Sequence, residues 1–163
     1  MVNIGHTPNA GSAFEFLSPP HVLILEARFY EDINDMMIDG ATDALTKVGA
    51  TFEKITVPGA LEIPTALQYA AQRKNGRVFD AYVVLGCVIR GETTHYEIVS
   101  NESARGIMDV SLKHNLAVGN GILTVENVEQ ALDRADKSRQ NKGGGAAIAA
   151  LSMLSLKQAC GGV

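Results

Sequence analysis

The sequence predicts a doubly wound α/β domain, a three-layer α/β/α sandwich around a central, mostly parallel sheet. Three observations carry this expectation. Continuous apolar runs at residues 21–27 and 80–89 have the character of strands covered on both faces. Other stretches place apolar residues at helical spacing. The two kinds of segment alternate along the chain, which calls for right-handed crossovers between parallel strands. Of the 163 residues, 46% are hydrophobic and 20% charged, enough apolar material to fill one core.

Residues 1–13 are rich in Asn, Gly, Thr and Ser without any period. They read as a loose arm ahead of a single domain at 14–163. Phe14, Phe16 and Leu17 alternate before Pro19-Pro20. That is the pattern of a short strand without a partner in its own chain, which either frays or pairs with a neighbouring subunit. HVLILEA (21–27) is the first core strand. Residues 33–48 follow as a helix, with Ile33, Met36, Met37, Ala41, Ala44, Leu45 and Val48 on one face and Gly49 as its stop. TFEKITV (51–57) alternates like a strand and ends at Pro58-Gly59. A helix from Glu62 to about Asn75 carries Ala66, Leu67, Ala70 and Ala71 on one face, and Pro64 suits its first turn. DAYVVLGCVI (80–89) is the third strand. Helix 95–113, strand 116–124, helix 127–139 and a last helix at about 142–160 complete the order. The size and order are flavodoxin-like.

Composition narrows the function. A formal net charge of −4 argues against a nucleic-acid coat or a polybasic membrane patch. Aromatics make up 6% and Trp is absent, so a stacking platform for single strands is not expected. Cys87 and Cys160 match no C-x-x-C motif, and one disulfide between them stays open. His6, His21 and His114 show no metal-ligand spacing. The N-terminus lacks the charged and apolar regions of a secretory signal, and no stretch approaches the ~20 apolar residues of a membrane helix. A soluble cytoplasmic protein is expected.

In an open parallel sheet the ligand sits beyond the carboxyl ends of the strands. The first strand exits at Arg28-Phe29-Tyr30, the second at Pro58-Gly59-Ala60-Leu61-Glu62, and the third at Cys87 through His95. The third exit is the most informative. Thr94-x-x-Glu97 has the capping-box form and places a helix N-terminus beside His95. Free N–H groups and the macrodipole there favour an anion, most often phosphate. Thr93 and Thr94 could add hydroxyl donors, and the His95 imidazole is suited to proton transfer. A plain helix cap with a surface histidine is the competing explanation. Glu62 could accept hydrogen bonds from a polyol or amine, or simply favour the helix dipole. Phe29 could stack on a planar ring or cap the core. Arg134, Lys137, Arg139 and Lys142 make the 127–142 region basic; a solvated helix face accounts best for Lys137 and Arg139. Gly143-Gly144-Gly145 lacks the Walker pattern, and close helix packing explains it better. No G-x-G-x-x-G follows the first strand, so a dinucleotide fingerprint is absent.

RFYEDI (28–33), VPGALEIP (57–64), LGCVIRGETTHYEIV (85–99), GILTVENVEQALDRA (121–135) and NKGG (141–144) together resemble the lumazine synthase family. The resemblance covers nearly everything from residue 21 to the last helix. The VPGALEIP and VIRGETTHYE blocks are highly specific as a pair. The resemblance implies condensation of 5-amino-6-(ribitylamino)uracil with 3,4-dihydroxy-2-butanone 4-phosphate, the penultimate step of riboflavin biosynthesis, without metal or redox cofactor. It implies that Phe29 stacks on the pyrimidine, and that Ala60, Leu61 and Glu62 line the ribityl chain and ring edge. By the same resemblance the backbone at Cys87, Val88 and Ile89 meets the pyrimidinedione, Glu92 and Thr93 hold phosphate, and His95 transfers protons. Arg134 matches the family's phosphate-binding arginine and Lys142 a lysine near it. Both are expected to face a neighbouring subunit's pocket in a homopentamer. Asn120 stands where many members carry an aromatic or large apolar residue, and it offers the ring a hydrogen bond instead. Cys87 stands where Thr or Ala is frequent. The charged, glycine-free segment 136–140 favours an isolated pentamer over a sixty-subunit shell.

A non-catalytic flavin- or lumazine-binding protein on the same fold would keep the ring-facing residues and lose the acid/base and phosphate residues. Thr93, His95, Arg134 and Lys142 are all present. A signalling receiver would need an acidic cluster at the first strand's end and a phosphoacceptor Asp at the third's. Arg28-Phe29 and Gly86-Cys87 stand there instead.

Overall fold

The computed structural model describes residues 14–16 and 18–161. The arm expected at 1–13, with His6, and Leu17 lie outside the described residues. Among the described residues four strands alternate with helices, the last strand being followed by two: β1 (His21–Ala27), α1 (Glu31–Lys47), β2 (Thr51–Val57), α2 (Ile63–Ala71), β3 (Ala81–Ile89), α3 (His95–Lys113), β4 (Val118–Val125), α4 (Val128–Ala135) and α5 (Lys142–Ala159). The strands form one parallel sheet in the order β2-β1-β3-β4. This is the expected three-layer, flavodoxin-like sandwich.

Side-chain alternation along the strands sorts the two helical layers. Val22, Ile24, Val83, Leu85, Cys87, Leu123 and Val125 point to one face, where Met37, Ala41 and Leu45 of α1 meet Ala147, Leu151 and Leu154 of α5. Leu23, Leu25, Tyr82 and Val84 point to the other face, against Ile63 and Leu67 of α2 and Ile107 and Val110 of α3. β1 is buried along its whole length and β3 up to its last residue, because each is flanked by strands and covered by helices on both sides. β2 is an edge strand and largely exposed. Phe14 and Phe16 stack at 5.8 Å between ring centroids and pack on the first cluster. Residues 14–16 are not in a strand.

The α5 layer is held unusually close by small residues. A Cβ on Gly143 would fall 2.0 Å from the Met37 carbonyl oxygen, and one on Gly119 would fall 1.9 Å from that of Ala146. Close helix packing is therefore what Gly143 serves, whereas a Cβ on Gly144 would meet the side chain of Asn141 at 2.5 Å. Asn141 caps α5 from the left-handed region (φ 46°) and accepts a hydrogen bond from the Gly144 N–H at 3.1 Å.

Three expected boundaries shift. The helix expected from Glu62 opens with a 3-10 turn at Ala60–Glu62 and its α part ends at Ala71. The strand expected at 116–124 is displaced to Val118–Val125. The helix expected at 127–139 stops at Ala135. There the Asp136 carboxylate turns back to accept from the Ser138 N–H and hydroxyl, both at 2.7 Å. A short acceptor beside its own backbone competes with the helix ladder. Lys137 pairs with Asp39 at 2.8 Å and Arg139 with Asp133 at 3.2 Å, consistent with a solvated face.

Candidate active site

Three strand exits converge on one cleft. β1 delivers Phe29, β2 delivers Ala60, Leu61 and Glu62, and β3 delivers Cys87, Val88, Ile89 and then Thr93 and His95. Together they line a cavity of about 500 Å³, a volume suited to a small organic ligand. Glu92 is exposed in the same loop, between Gly91 and Thr93, which both line the cavity.

The exposures separate the two explanations of each residue. Phe29 is 72% exposed with its ring edge-on to Tyr30 at 5.0 Å, so it does not cap the core. His95 is exposed at the first position of α3 and lines the cavity. Glu62 is exposed and folds back over the loop: a Cβ on Gly59 would fall 3.0 Å from Glu62 Oε2. Gly59 thus makes room first for this carboxylate. Cys87 is buried, and loss of solvent pushes its thiol up to about 11, which keeps it protonated and inert near neutrality. Cys87 and Cys160 are both free thiols, so the disulfide left open is not formed.

The capping box expected at Thr94-x-x-Glu97 does not form. The helix does begin at His95, but the Thr94 side chain makes no cap hydrogen bond. Glu97 turns instead to Arg90, which also holds Glu126 at 2.7 Å and lies 4.1 Å from the centroid of the Tyr96 ring. A doubly charge-assisted guanidinium outcompetes a single backbone N–H as partner for Glu97. The pair holds the Glu97 carboxyl below its usual range. In the first turn of α3 the Glu97 and Ile98 N–H groups donate to the Thr94 carbonyl at 3.2 and 3.4 Å. The His95 N–H makes only a long contact to Thr93 Oγ1, at 3.4 Å. Arg90 was not a candidate in the sequence. Its signal was an arginine between an apolar strand and a glycine, with no local cue to its two partners.

Asn120, Arg134 and Lys142 do not reach this cleft within the chain. They line a second cavity of about 420 Å³ with Thr124 and Gly145, beside the edge strand β4. Arg134 Nη1 donates to the Gln130 carbonyl at 3.1 Å, which leaves the rest of its guanidinium available. The helix that carries it is firmly started: Asn127 accepts from the Gln130 N–H at 2.9 Å, and the Gln130 side chain accepts from the Glu126 N–H at 3.0 Å. Among the described residues no cluster of three or more His, Cys, Asp or Glu could hold a metal ion, and no helix is long and apolar enough to cross a membrane.

A parallel α/β sheet that gathers an aromatic face, a carboxylate, an imidazole and a helix N-terminus at its strand ends defines a small-molecule enzyme of the doubly wound class. A profile of the 6,7-dimethyl-8-ribityllumazine synthase family matches residues 19–158. The 6,7-dimethyl-8-ribityllumazine synthase of Sphingopyxis alaskensis is 64% identical over 141 residues, covering 86% of this chain and 97% of its own. Proteins of the same name are similar at 57% identity in Bartonella tribocorum (90% of this chain, 96% of its own) and 54% in Agrobacterium fabrum (90% and 100%). The chain belongs to the 6,7-dimethyl-8-ribityllumazine synthase family, and it is an enzyme, a transferase.

Proposed function

We propose that the two cavities are the halves of one active site, completed between adjacent subunits of a homopentamer. The reaction joins 5-amino-6-(D-ribitylamino)uracil to 3,4-dihydroxy-2-butanone 4-phosphate and yields 6,7-dimethyl-8-ribityllumazine, the penultimate step of riboflavin biosynthesis. The observation that carries the reading is the meeting of Phe29, Glu62, Thr93 and His95 around a single cleft, while Arg134 and Lys142 share another. The working unit is the domain 14–163; Phe14 and Phe16 packing on the core support its start at residue 14. A cytoplasmic setting fits two unpaired thiols.

In this reading Phe29 stacks on the pyrimidine, and Ala60, Leu61 and Glu62 follow the ribityl chain. Backbone groups at Cys87, Val88 and Ile89 meet the ring edge. Thr93 and the N–H of Glu92 hold the phosphate at the start of α3, with Arg134 and Lys142 reaching it from the neighbour and Asn120 facing the ring. The 5-amino nitrogen attacks the ketone, and water leaves as the imine forms. A proton then leaves the carbon next to the imine, and its electron pair expels phosphate. The resulting enol tautomerises to a ketone. The ribityl-bearing nitrogen closes on it, and a second water departs. Among the described residues His95 is the one imidazole lining the cleft, and it carries these protons. The helix N-terminus and Arg134 offset the charge on the departing phosphate, and the remaining acceleration comes from holding two substrates together.

Mixing the purified protein with both substrates tests this directly. Growth of lumazine fluorescence with stoichiometric phosphate release is expected. Tight binding of the pyrimidine or of product without turnover would replace the enzyme by the non-catalytic carrier. Native mass measurement separates a pentamer from a decamer or a sixty-subunit shell.

A further inference from the structure

After the apolar run Val22–Leu25 of strand β1 stands a charged side chain that no step above uses. Glu26 is 0% exposed, and four donors converge on it. Its two oxygens divide the work. Oε2 accepts from Asn34 Nδ2 at 2.5 Å and Arg28 Nη1 at 3.3 Å. Oε1 accepts from Thr56 Oγ1 at 2.8 Å and faces Lys54 Nζ at 3.3 Å. Arg28 and Asn34 stand on either side of Phe29, at the end of β1 and in the first turn of α1. Thr56 and Lys54 are on β2, just before the turn that leads into Ala60–Glu62. A carboxylate that must be fully desolvated is retained only where donors surround it. Asn34 confirms how firmly the orientation is set: it is 1% exposed, and its own amide oxygen has no partner among the described residues while its nitrogen faces Glu26.

We propose that Glu26 is a positioning residue that ties the exits of β1 and β2 together and thereby holds Phe29 over the pyrimidine. The proposal rests on the reading of Phe29 given above. A carboxylate is required because it offers lone pairs on both oxygens to donors on two elements. A glutamine would turn an NH₂ towards groups that are themselves donors.

The chain has no Trp, so Phe29→Trp places a single indole reporter at the β1 exit. In that background Glu26→Gln is expected to lower indole anisotropy in the absence of substrate. With Phe29 restored, Glu26→Gln is expected to raise KM for the ribitylaminopyrimidine by about tenfold and to leave KM for the butanone phosphate unchanged. Unchanged anisotropy, or equal rises in both KM values, overturns the proposal. Phe29→Ala keeps the two ideas apart. If it leaves the pyrimidine KM unchanged, the stacking role fails. If it raises that KM and Glu26→Gln does not, the positioning role fails alone. Should Glu26→Gln not fold, Thr56→Val removes only the β2 side of the clamp and is expected to move the same two readouts in the same direction by a smaller factor. No movement in either then overturns the proposal.

Discussion

His95 sits where a first-turn histidine can reach a ligand held by the same helix N-terminus. Its proposed work is proton transfer alone, because anion binding and proximity come from other groups. His95→Ala is therefore expected to lower kcat by about 10²-fold, the low end for general acid–base help, with KM for both substrates nearly unchanged. Loss of all turnover with substrate binding intact would mean that the imidazole does more than carry protons. Cys87 makes a different forecast. Burial raises its thiol from the ordinary 9.0 to about 11. At pH 8 the exposed Cys160 should be alkylated by iodoacetamide far faster than Cys87. Labelling of Cys87 should climb about tenfold per pH unit until about pH 11. The sign for stability follows: the neutral thiol is the form the fold prefers, so its contribution is intact below 9.0 and is lost as pH rises through 11. Peptide mass analysis showing equal labelling at pH 8 would contradict the burial. At this scale the cleft residues were legible, since strand-exit positions follow from sequence order. Glu26 was not. It reads as the end of an apolar run, and only the folding of Thr56 and Asn34 onto it reveals its partners. The Glu97 side chain was misread for a related reason: a capping box is a local pattern, and Arg90 and Glu126 prevail over it from other elements.

The elements themselves were read nearly to the residue where period and punctuation agree, as in β1, β2 and α3. They were misread where a side chain ends a helix by bonding its own backbone, as Asp136 does through Ser138. What the sequence could not convey is how closely α5 lies on β4 and α1. Gly119 faces Ala146, and a Cβ there would also come within 2.9 Å of the Ala150 N–H nitrogen. These are backbone atoms, so neither partner can swing away. Gly119→Ala is expected to destabilise the fold by about 1–3 kcal/mol through overpacking, lowering Tm by roughly 2–12 °C. Because α5 carries Lys142 and Gly145 into the second cavity, activity below the melting range should fall mainly through use of the phosphate substrate. A Tm within a degree of the parent would show that α5 can shift outward freely.

For the whole molecule the decisive feature is separation. The cleft with Phe29 and His95 opens at the exits of β1, β2 and β3, whereas Arg134 and Lys142 line a cavity by the edge strand β4. One subunit carries the two cavities on different parts of its sheet, and the interfacial reading proposed above joins them at the junction of two copies. Two damaged chains should then repair each other. His95→Ala removes the proposed proton carrier from one half-site, and Arg134→Ala removes the proposed phosphate clamp from the other. If the two variants are dissociated, mixed in equal amounts and reassembled, an Arg134→Ala subunit supplies an intact His95 cleft to a neighbour whose Arg134 is intact. Random assortment around a ring makes roughly a quarter of the junctions whole, and kcat should recover towards that fraction of the parent, above either variant alone. Mixed assemblies no more active than the average of the two variants would place Arg134 and His95 in the same subunit's site, and the interfacial arrangement would have to be given up.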